Sequence, residues 1–124
     1  GDSNFLIGDL VEAPNGGRAI SFGEGQVINF TQDVAADKSN DVTVSIRPER
    51  LDIVGADSAV ANQLAGTVRA VTYFGTDTTY RVDLDGQATV TVRMQNGDGA
   101  TAQFAQGDRV GVVVPSDAIR VLVD

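Results

Sequence analysis

Three consecutive residues, Arg47, Pro48 and Glu49, are the group in this chain with the clearest chemical potential. An arginine can donate two parallel hydrogen bonds to a carboxylate, and a glutamate can accept hydrogen bonds from main-chain amides in a turn. Proline fixes its own φ and stiffens the chain between them. The triplet therefore predicts either a structural corner at the end of a strand or a contact with a partner or small ligand. The sequence leaves both interpretations open.

A second candidate group is the aromatic pair Tyr73 and Phe74, followed by Gly75. Tyrosine carries a hydroxyl beside an apolar ring and is enriched at protein interfaces, while the glycine turns the chain. A small barrel has little room for two rings at a glycine tip. We therefore expect one of the two rings to remain available for contact outside the core.

Catalytic chemistry has few residues to work with. The chain contains no cysteine and no histidine, which excludes disulfides, thiolate metal sites and thiol nucleophiles. Catalysis near neutral pH would need a carboxylate or lysine with a shifted pKa, and the single lysine, Lys38, lies in a polar run. We expect no enzymatic activity and no catalytic residues.

Three phosphate- or metal-binding patterns fail on inspection. A P-loop needs Gly-Lys-Ser/Thr, but Lys38 follows Asp37. The segment from Asp83 to Gly86 resembles the start of a calcium loop, yet Met94 stands where the liganding glutamate belongs. The oxygens of residues 96–99 offer a cation only one nearby carboxylate. We expect no nucleotide, no metal and no cofactor in these residues.

Charge and hydropathy exclude two further classes of partner. The formal net charge of -8 disfavours nucleic acid, because that affinity comes largely from cations that displace counterions. No apolar run approaches the ~20 residues that a membrane-spanning helix needs. The first residues do not have the pattern of a secretion signal, and we expect the chain to be a segment of a longer protein.

The hydrophobic pattern alternates with a period of two, which indicates strands with one buried face. Residues 87–94 and 78–84 are the clearest case, and Asp85-Gly86 between them favours a two-residue hairpin turn. Further strands are predicted near residues 5–12, 18–22, 26–30, 42–47, 65–74, 109–114 and 119–123. Only residues 115–118 are even briefly helical in character, and this stretch is too short to form more than a turn.

This pattern predicts an all-β domain over residues 1–124, an OB-fold-like small barrel or sandwich. A polar linker near residues 55–63 divides the chain into two similar strand-rich halves, about 1–55 and 63–124. Each half is too small to fold by itself, so we expect the halves to share a core or exchange a strand.

Four segments in order resemble one known family. The segment Ser3-Asn4-Phe5-Leu6-Ile7-Gly8 is similar to the start of its first strand, and Ile46-Arg47-Pro48-Glu49 is similar to its hydrophobic-Arg-Pro-Glu signature. The third segment contains the matches Leu64-x-Gly66-x-Val68, Tyr73-Phe74-Gly75 and Tyr80-x-Val82-x-Leu84-x-Gly86. The fourth contains Gly107-Asp108-x-Val110, Pro115-Ser116-Asp117 and Arg120-Val121-Leu122. Together they resemble the transport-associated OB (TOBE) domain that follows the ATPase core of bacterial ABC importers. The polyamine and iron(III) branch is nearest, with the sugar branch next.

The resemblance implies a non-catalytic regulatory and dimerising domain of an importer's ATP-binding subunit. Its implied partners are a second copy of the domain, the permease subunits reached through the ATPase core, and a small-molecule regulator. The implied location is cytoplasmic, at the inner membrane. The candidate interface or ligand residues, which rest on their chemistry and position and not on the resemblance, are Arg47, Pro48, Glu49, Tyr73, Phe74 and Gly75.

Two functions from other classes remain open. One is a free-standing OB-type protein that binds a small oxyanion, related to molybdate-binding modules. The other is an OB-type nucleic-acid binder, which the negative charge and the small number of aromatic residues weaken. A Walker lysine motif encoded upstream of Gly1 would decide for the importer.

Overall fold

The computed structural model describes residues 3–13, 16–34, 39–86, 89–96 and 103–122. Over these residues the chain forms ten strands and one single-turn 3-10 helix, Pro48–Arg50. The strands are β1 Asn4–Glu12, β2 Arg18–Ser21, β3 Val27–Asn29, β4 Val42–Ile46, β5 Asp52–Gly55, β6 Gln63–Tyr73, β7 Asp77–Leu84, β8 Thr89–Gln95, β9 Arg109–Val113 and β10 Arg120–Val121. No helix among the described residues is long and apolar enough to cross a membrane.

The strands form two five-stranded antiparallel sheets with the same internal order. The first sheet runs β10-β4-β1-β2-β3 and the second runs β5-β9-β6-β7-β8. Strand β5 follows β4 in the chain but pairs with β9, and β10 follows β9 but pairs with β4. Each sheet thus receives one edge strand from the other part of the chain, so the chain exchanges two strands reciprocally.

The alternation read from the sequence gives the core. Tyr80, Val82 and Leu84 of β7 are buried, and so are Val90 and Val92 of the neighbouring β8. Buried residues from both sheets belong to one hydrophobic cluster. This arrangement confirms the predicted all-β, OB-like class with a shared core, since neither sheet buries its inner face alone.

Asparagine side chains connect the two sheets. The Nδ2 of Asn4, at the start of β1, donates to the carbonyl of Thr91 at 2.9 Å, and the Thr91 amide donates to Asn4 Oδ1 at 2.8 Å. In the second part of the chain, Asn62 makes the same double hydrogen bond with the main chain of Asn29, at 3.0 and 2.8 Å. Its Nδ2 also donates to the Val114 carbonyl at 2.7 Å. Each amide therefore satisfies main-chain groups of the opposite sheet.

Both asparagines open the same short pattern, Asn-x-Leu-x-Gly, at residues 4–8 and 62–66. A Cβ on the glycine that ends the first copy would lie 2.7 Å from the carbonyl oxygen of Ser21. A Cβ on the glycine that ends the second copy would lie 2.7 Å from the carbonyl oxygen of Asp83. Glycine is required at both places because the neighbouring strand passes too close for a side chain.

Two local features differ from the sequence pattern. Residues 116–118 form a turn, as expected for so short a stretch, but a 3-10 helix that the pattern did not predict lies at Pro48–Arg50. Proline at the first position suits a helix start, where no amide donor is needed. The register of β7 and β8 pairs Asp83 with Thr89 and so centres on Gly86. A two-residue turn at Asp85-Gly86 would instead centre between those two residues; Gln87 and Ala88 lie outside the described residues.

Candidate functional site

The Arg47-Pro48-Glu49 corner lies where the chain leaves the first sheet for the second. Arg47 is extended, with φ -75° and ψ 137°, as the residue before a proline prefers. Pro48 is buried, and the amide of Arg50 donates to the Arg47 carbonyl at 3.0 Å. The corner therefore has a structural role, because it redirects the chain from β4 into β5.

Arg47 and Glu49 lie on different sides of this corner. Arg47 lines a cleft of about 580 Å³, which we call the basic cleft. Its lining includes Arg47, Arg50, Arg120, Ser45, Thr31 and Asp117. Arg50 Nη2 donates to Asp117 Oδ1 at 2.7 Å, a contact that joins the two chain crossovers. The sequence pattern does not identify Arg50, Arg120 and Asp117 as site residues, because they come together only through the pairing of distant strands.

Glu49 instead lines a shallow depression of about 430 Å³, which we call the acidic depression. Its charged residues are Glu49, Asp52, Asp77 and Arg93, and its apolar residues are Leu51 and Met94. Three carboxylates against one guanidinium leave a negative local charge. Carboxylates beside an apolar floor suit a ligand that carries both amines and methylene groups.

The Tyr73-Phe74-Gly75 tip joins β6 to β7. The side chains of Tyr73 and Phe74 are 56% and 65% exposed, so both rings lie outside the core, where we expected one. Gly75 has φ +86°, which an L residue adopts only with strain. Its carbonyl accepts a hydrogen bond from Asn96 Nδ2 at 2.9 Å, and the Phe74 amide donates to the Asp77 carbonyl at 2.8 Å. The tip is therefore a turn that hydrogen bonds stabilise, and it exposes two aromatic rings.

Among the described residues, the corner and the tip approach each other at the acidic depression. Glu49 from the corner and Asp77 from the base of the tip line the same acidic depression. Among the described residues, no hydrogen bond or ion pair joins Tyr73 or Phe74 to the corner. The predicted candidates therefore form two neighbouring surfaces and do not converge on one site.

A further ion pair lies on the outer surface of the second sheet. Arg109 donates two parallel hydrogen bonds to Asp85, each 2.7 Å long, and a third to the hydroxyl of Thr67 at 3.0 Å. The hydrogen bond from Arg109 lowers the pKa of the Asp85 carboxyl, and the same bond raises the pKa of Arg109. The pair ties the turn after β7 to β9, so Asp85 has a partner that the turn pattern did not predict.

A metal centre has no support among the residues that the structure describes. No group of three or more His, Cys, Asp or Glu side chains there could hold a metal ion. Asp85 is engaged by Arg109, and Asn96 is engaged by the Gly75 carbonyl and the hydroxyl of Thr78. The rest of the weak cation pattern at residues 97–99 lies outside the described residues.

Comparison with known proteins identifies the family. The TOBE domain family matches residues 44–122. The whole chain is 35% identical to the spermidine/putrescine import ATP-binding protein PotA of Mesorhizobium japonicum. It is 32% identical to the protein of the same name from Ruegeria pomeroyi, and 34% identical to PotA 1 of Pseudomonas aeruginosa. The chain spans about a third of the length of these relatives, 33% in the first case.

Among solved structures, the cytoplasmic molybdate-binding protein ModG, with molybdate bound, superposes with a TM-score of 0.78. The match covers 98% of this chain and 96% of that one, at 15% sequence identity. This likeness bears on the fold, which is the same OB-type arrangement. The family match over residues 44–122 and the full-length relatives agree with the order of motifs read from the sequence. The chain belongs to the TOBE domain family.

Proposed function

We propose that this chain is the regulatory and dimerising domain of the ATP-binding subunit of a bacterial importer of the spermidine/putrescine type. The observation that carries the proposal is the 35% identity over all 124 residues to the C-terminal region of such a subunit. The nucleotide chemistry then belongs to an ATPase core that these residues do not contain. The subunit works in the cytoplasm, bound to the permease through that core.

Pairing between two copies of the domain keeps the two ATPase subunits together while their nucleotide-binding faces separate. The Tyr73-Phe74-Gly75 tip is the surface that we assign to this contact. Two exposed aromatic rings on a turn stabilised by hydrogen bonds offer a large contact area at little cost in side-chain entropy. In a symmetric dimer the same tip appears on both partners, so a small patch contributes twice.

The acidic depression is where we place a small-molecule regulator. A polyamine carries cationic amines spaced by methylene groups, and the depression offers Glu49, Asp52 and Asp77 beside Met94. Binding of the imported solute here gives the domain a means to slow import when the solute is abundant. Arg93 adds one positive charge to the lining of the depression, so the expected affinity is modest.

Two measurements test the proposal. Spermidine should raise the melting temperature of this chain, because a ligand of the native state stabilises it by mass action. Asp77→Asn should reduce that rise, whereas Asp57→Asn, which removes an exposed carboxylate elsewhere, should not. In the full-length subunit, deletion of this domain should abolish any effect of spermidine on ATP hydrolysis. Unchanged regulation after the deletion would contradict the proposed role.

The alternative function is a free-standing protein that binds a small oxyanion. Its support is the fold shared with ModG over 98% of the chain. The coding sequence upstream of Gly1 distinguishes the two functions. A Walker lysine motif encoded in the same reading frame upstream of Gly1 favours the importer, and a start codon immediately before Gly1 favours the free-standing binder.

A further inference from the structure

We propose that the basic cleft binds a phosphate group, either as inorganic phosphate or as a small phosphomonoester. The site is separate from the acidic depression and from the Tyr73-Phe74-Gly75 tip. It lies on the outer surface at one end of the first sheet, where β4 and β10 run side by side. The proposal does not depend on the importer assignment, because the site is complete within this chain.

Strand register brings the donors together. Ser45 of β4 lies directly opposite Arg120 of β10, so their side chains leave the sheet on the same side a few ångströms apart. Arg47 stands two residues after Ser45 in extended backbone, and it therefore faces the same side. Ile46 between them is buried. The paired ends of β4 and β10 therefore expose one hydroxyl group and two guanidinium groups on the outer face of the sheet.

A third guanidinium is fixed in place at the edge of the cleft. Arg50 Nη2 donates a 2.7 Å hydrogen bond to Asp117. The other N–H groups of the Arg50 guanidinium do not take part in that hydrogen bond. Arg47 and Arg120 have no hydrogen-bond or ion-pair partner among the described residues. The cleft therefore carries three cations and one anion in a chain whose formal net charge is -8. Such a cluster favours an anionic ligand, because like charges that face one cleft repel each other until an anion lies between them.

The donors favour a tetrahedral anion over a planar carboxylate. One guanidinium fork already satisfies both oxygens of a carboxylate, whereas phosphate has oxygens pointing in several directions. Here the donors come from β4, β10, the 3-10 turn and the segment at Thr31, which adds another hydroxyl. The cleft volume of about 580 Å³ accommodates a small ester as well as the free ion.

Calorimetric titration with inorganic phosphate and with ribose 5-phosphate tests the proposal. We expect submillimolar binding that tightens as each probe gains its second negative charge, at a pH of about 6 for the phosphomonoester and about one pH unit higher for inorganic phosphate, while the arginines keep their charge. Arg47→Gln and Arg120→Gln should each weaken binding by about tenfold or more, since each removes a charged hydrogen bond. Arg81→Gln makes the same charge change at an exposed site on β7 and should leave the affinity unchanged.

Amide chemical shifts recorded during the titration locate the ligand. Changes centred on Ser45, Arg47, Arg50 and Arg120 support the proposal. Absence of submillimolar binding to both phosphate probes overturns it, and so does an equal loss of affinity in Arg81→Gln. Tighter binding of molybdate than of phosphate, or preferential binding of an oligonucleotide, also overturns the assignment to a small phosphate ligand. None of these outcomes bears on the response to spermidine at the acidic depression.

Discussion

Asn4 and Asn62 make equivalent contacts in the two sheets. Asn4 is the first residue of β1 and Asn62 immediately precedes β6, and these are the central strands of the two sheets. Each asparagine pairs its side-chain amide with main-chain groups of the other sheet. Asn4 meets β8 and Asn62 meets β3, and these strands lie at equivalent edges of the two sheets. The fold is therefore closed by two related amide contacts, which accompany the reciprocal exchange of β5 and β10.

Removal of one amide contact should destabilise the whole domain. In Asn4→Ala the amide and carbonyl of Thr91 lose their partner in a partly buried position, so we expect a loss of about 1–3 kcal/mol in the free energy of unfolding. Asn40→Ala, at an exposed asparagine, should change it by less than about 0.5 kcal/mol. Urea denaturation measures both. Equal effects would show that the contact adds nothing.

The glycines of the repeated pattern should not tolerate a methyl group. Gly8→Ala and Gly66→Ala each place a Cβ 2.7 Å from a carbonyl oxygen, so the adjacent strand must shift. We expect each change to cost about 1–3 kcal/mol, as overpacking does. Gly55→Ala is the matched control, because its Cβ would meet only the Asp57 side chain, at 3.4 Å. Thermal unfolding distinguishes them, and a stable Gly66→Ala would refute the close approach.

The two tyrosines should behave differently. Tyr73→Ala removes an exposed ring and should cost under about 1 kcal/mol in this chain. Tyr80→Ala removes a buried ring that packs edge-on against Phe104, and it should cost about 3–5 kcal/mol. Denaturant unfolding of both variants measures the contrast. A loss of several kcal/mol in Tyr73→Ala would place that ring in the core and remove it from the proposed interface.

The ion pair of Asp85 and Arg109 should make stability depend on pH. The hydrogen bond from Arg109 lowers the pKa of Asp85 in the folded state, so the folded state favours the charged carboxylate. This contribution is present above the ordinary carboxyl pKa of about 3.9 and disappears as the pH falls through the lowered value. Arg109→Gln should therefore reduce the loss of stability between neutral and strongly acidic pH. The effect is small because the pair is exposed, and an identical acid transition in both proteins would contradict it.

The strands could be predicted from sequence because alternation along β7 and β8 is a local property. The contacts of Asn4 and Asn62 could not, since their partners lie far away in the chain and an asparagine before a strand has many other uses. The basic cleft could not be predicted either, because it forms only through the strand register that places Arg120 opposite Ser45. The sequence places Arg47 and Glu49 in one candidate site, but in the structure they flank the buried Pro48, and Arg47 lines the basic cleft whereas Glu49 lines the acidic depression.

The most direct test of the importer assignment is the mass of the full-length ATP-binding subunit without nucleotide, measured by sedimentation equilibrium. We expect the native subunit to be a dimer under these conditions, and we expect that replacing Tyr73 and Phe74 together by alanine shifts it toward monomer. The variant should still dimerise with ATP when hydrolysis is blocked, because the nucleotide faces remain intact. A nucleotide-free dimer of unchanged stability in the variant would contradict the role assigned to the tip.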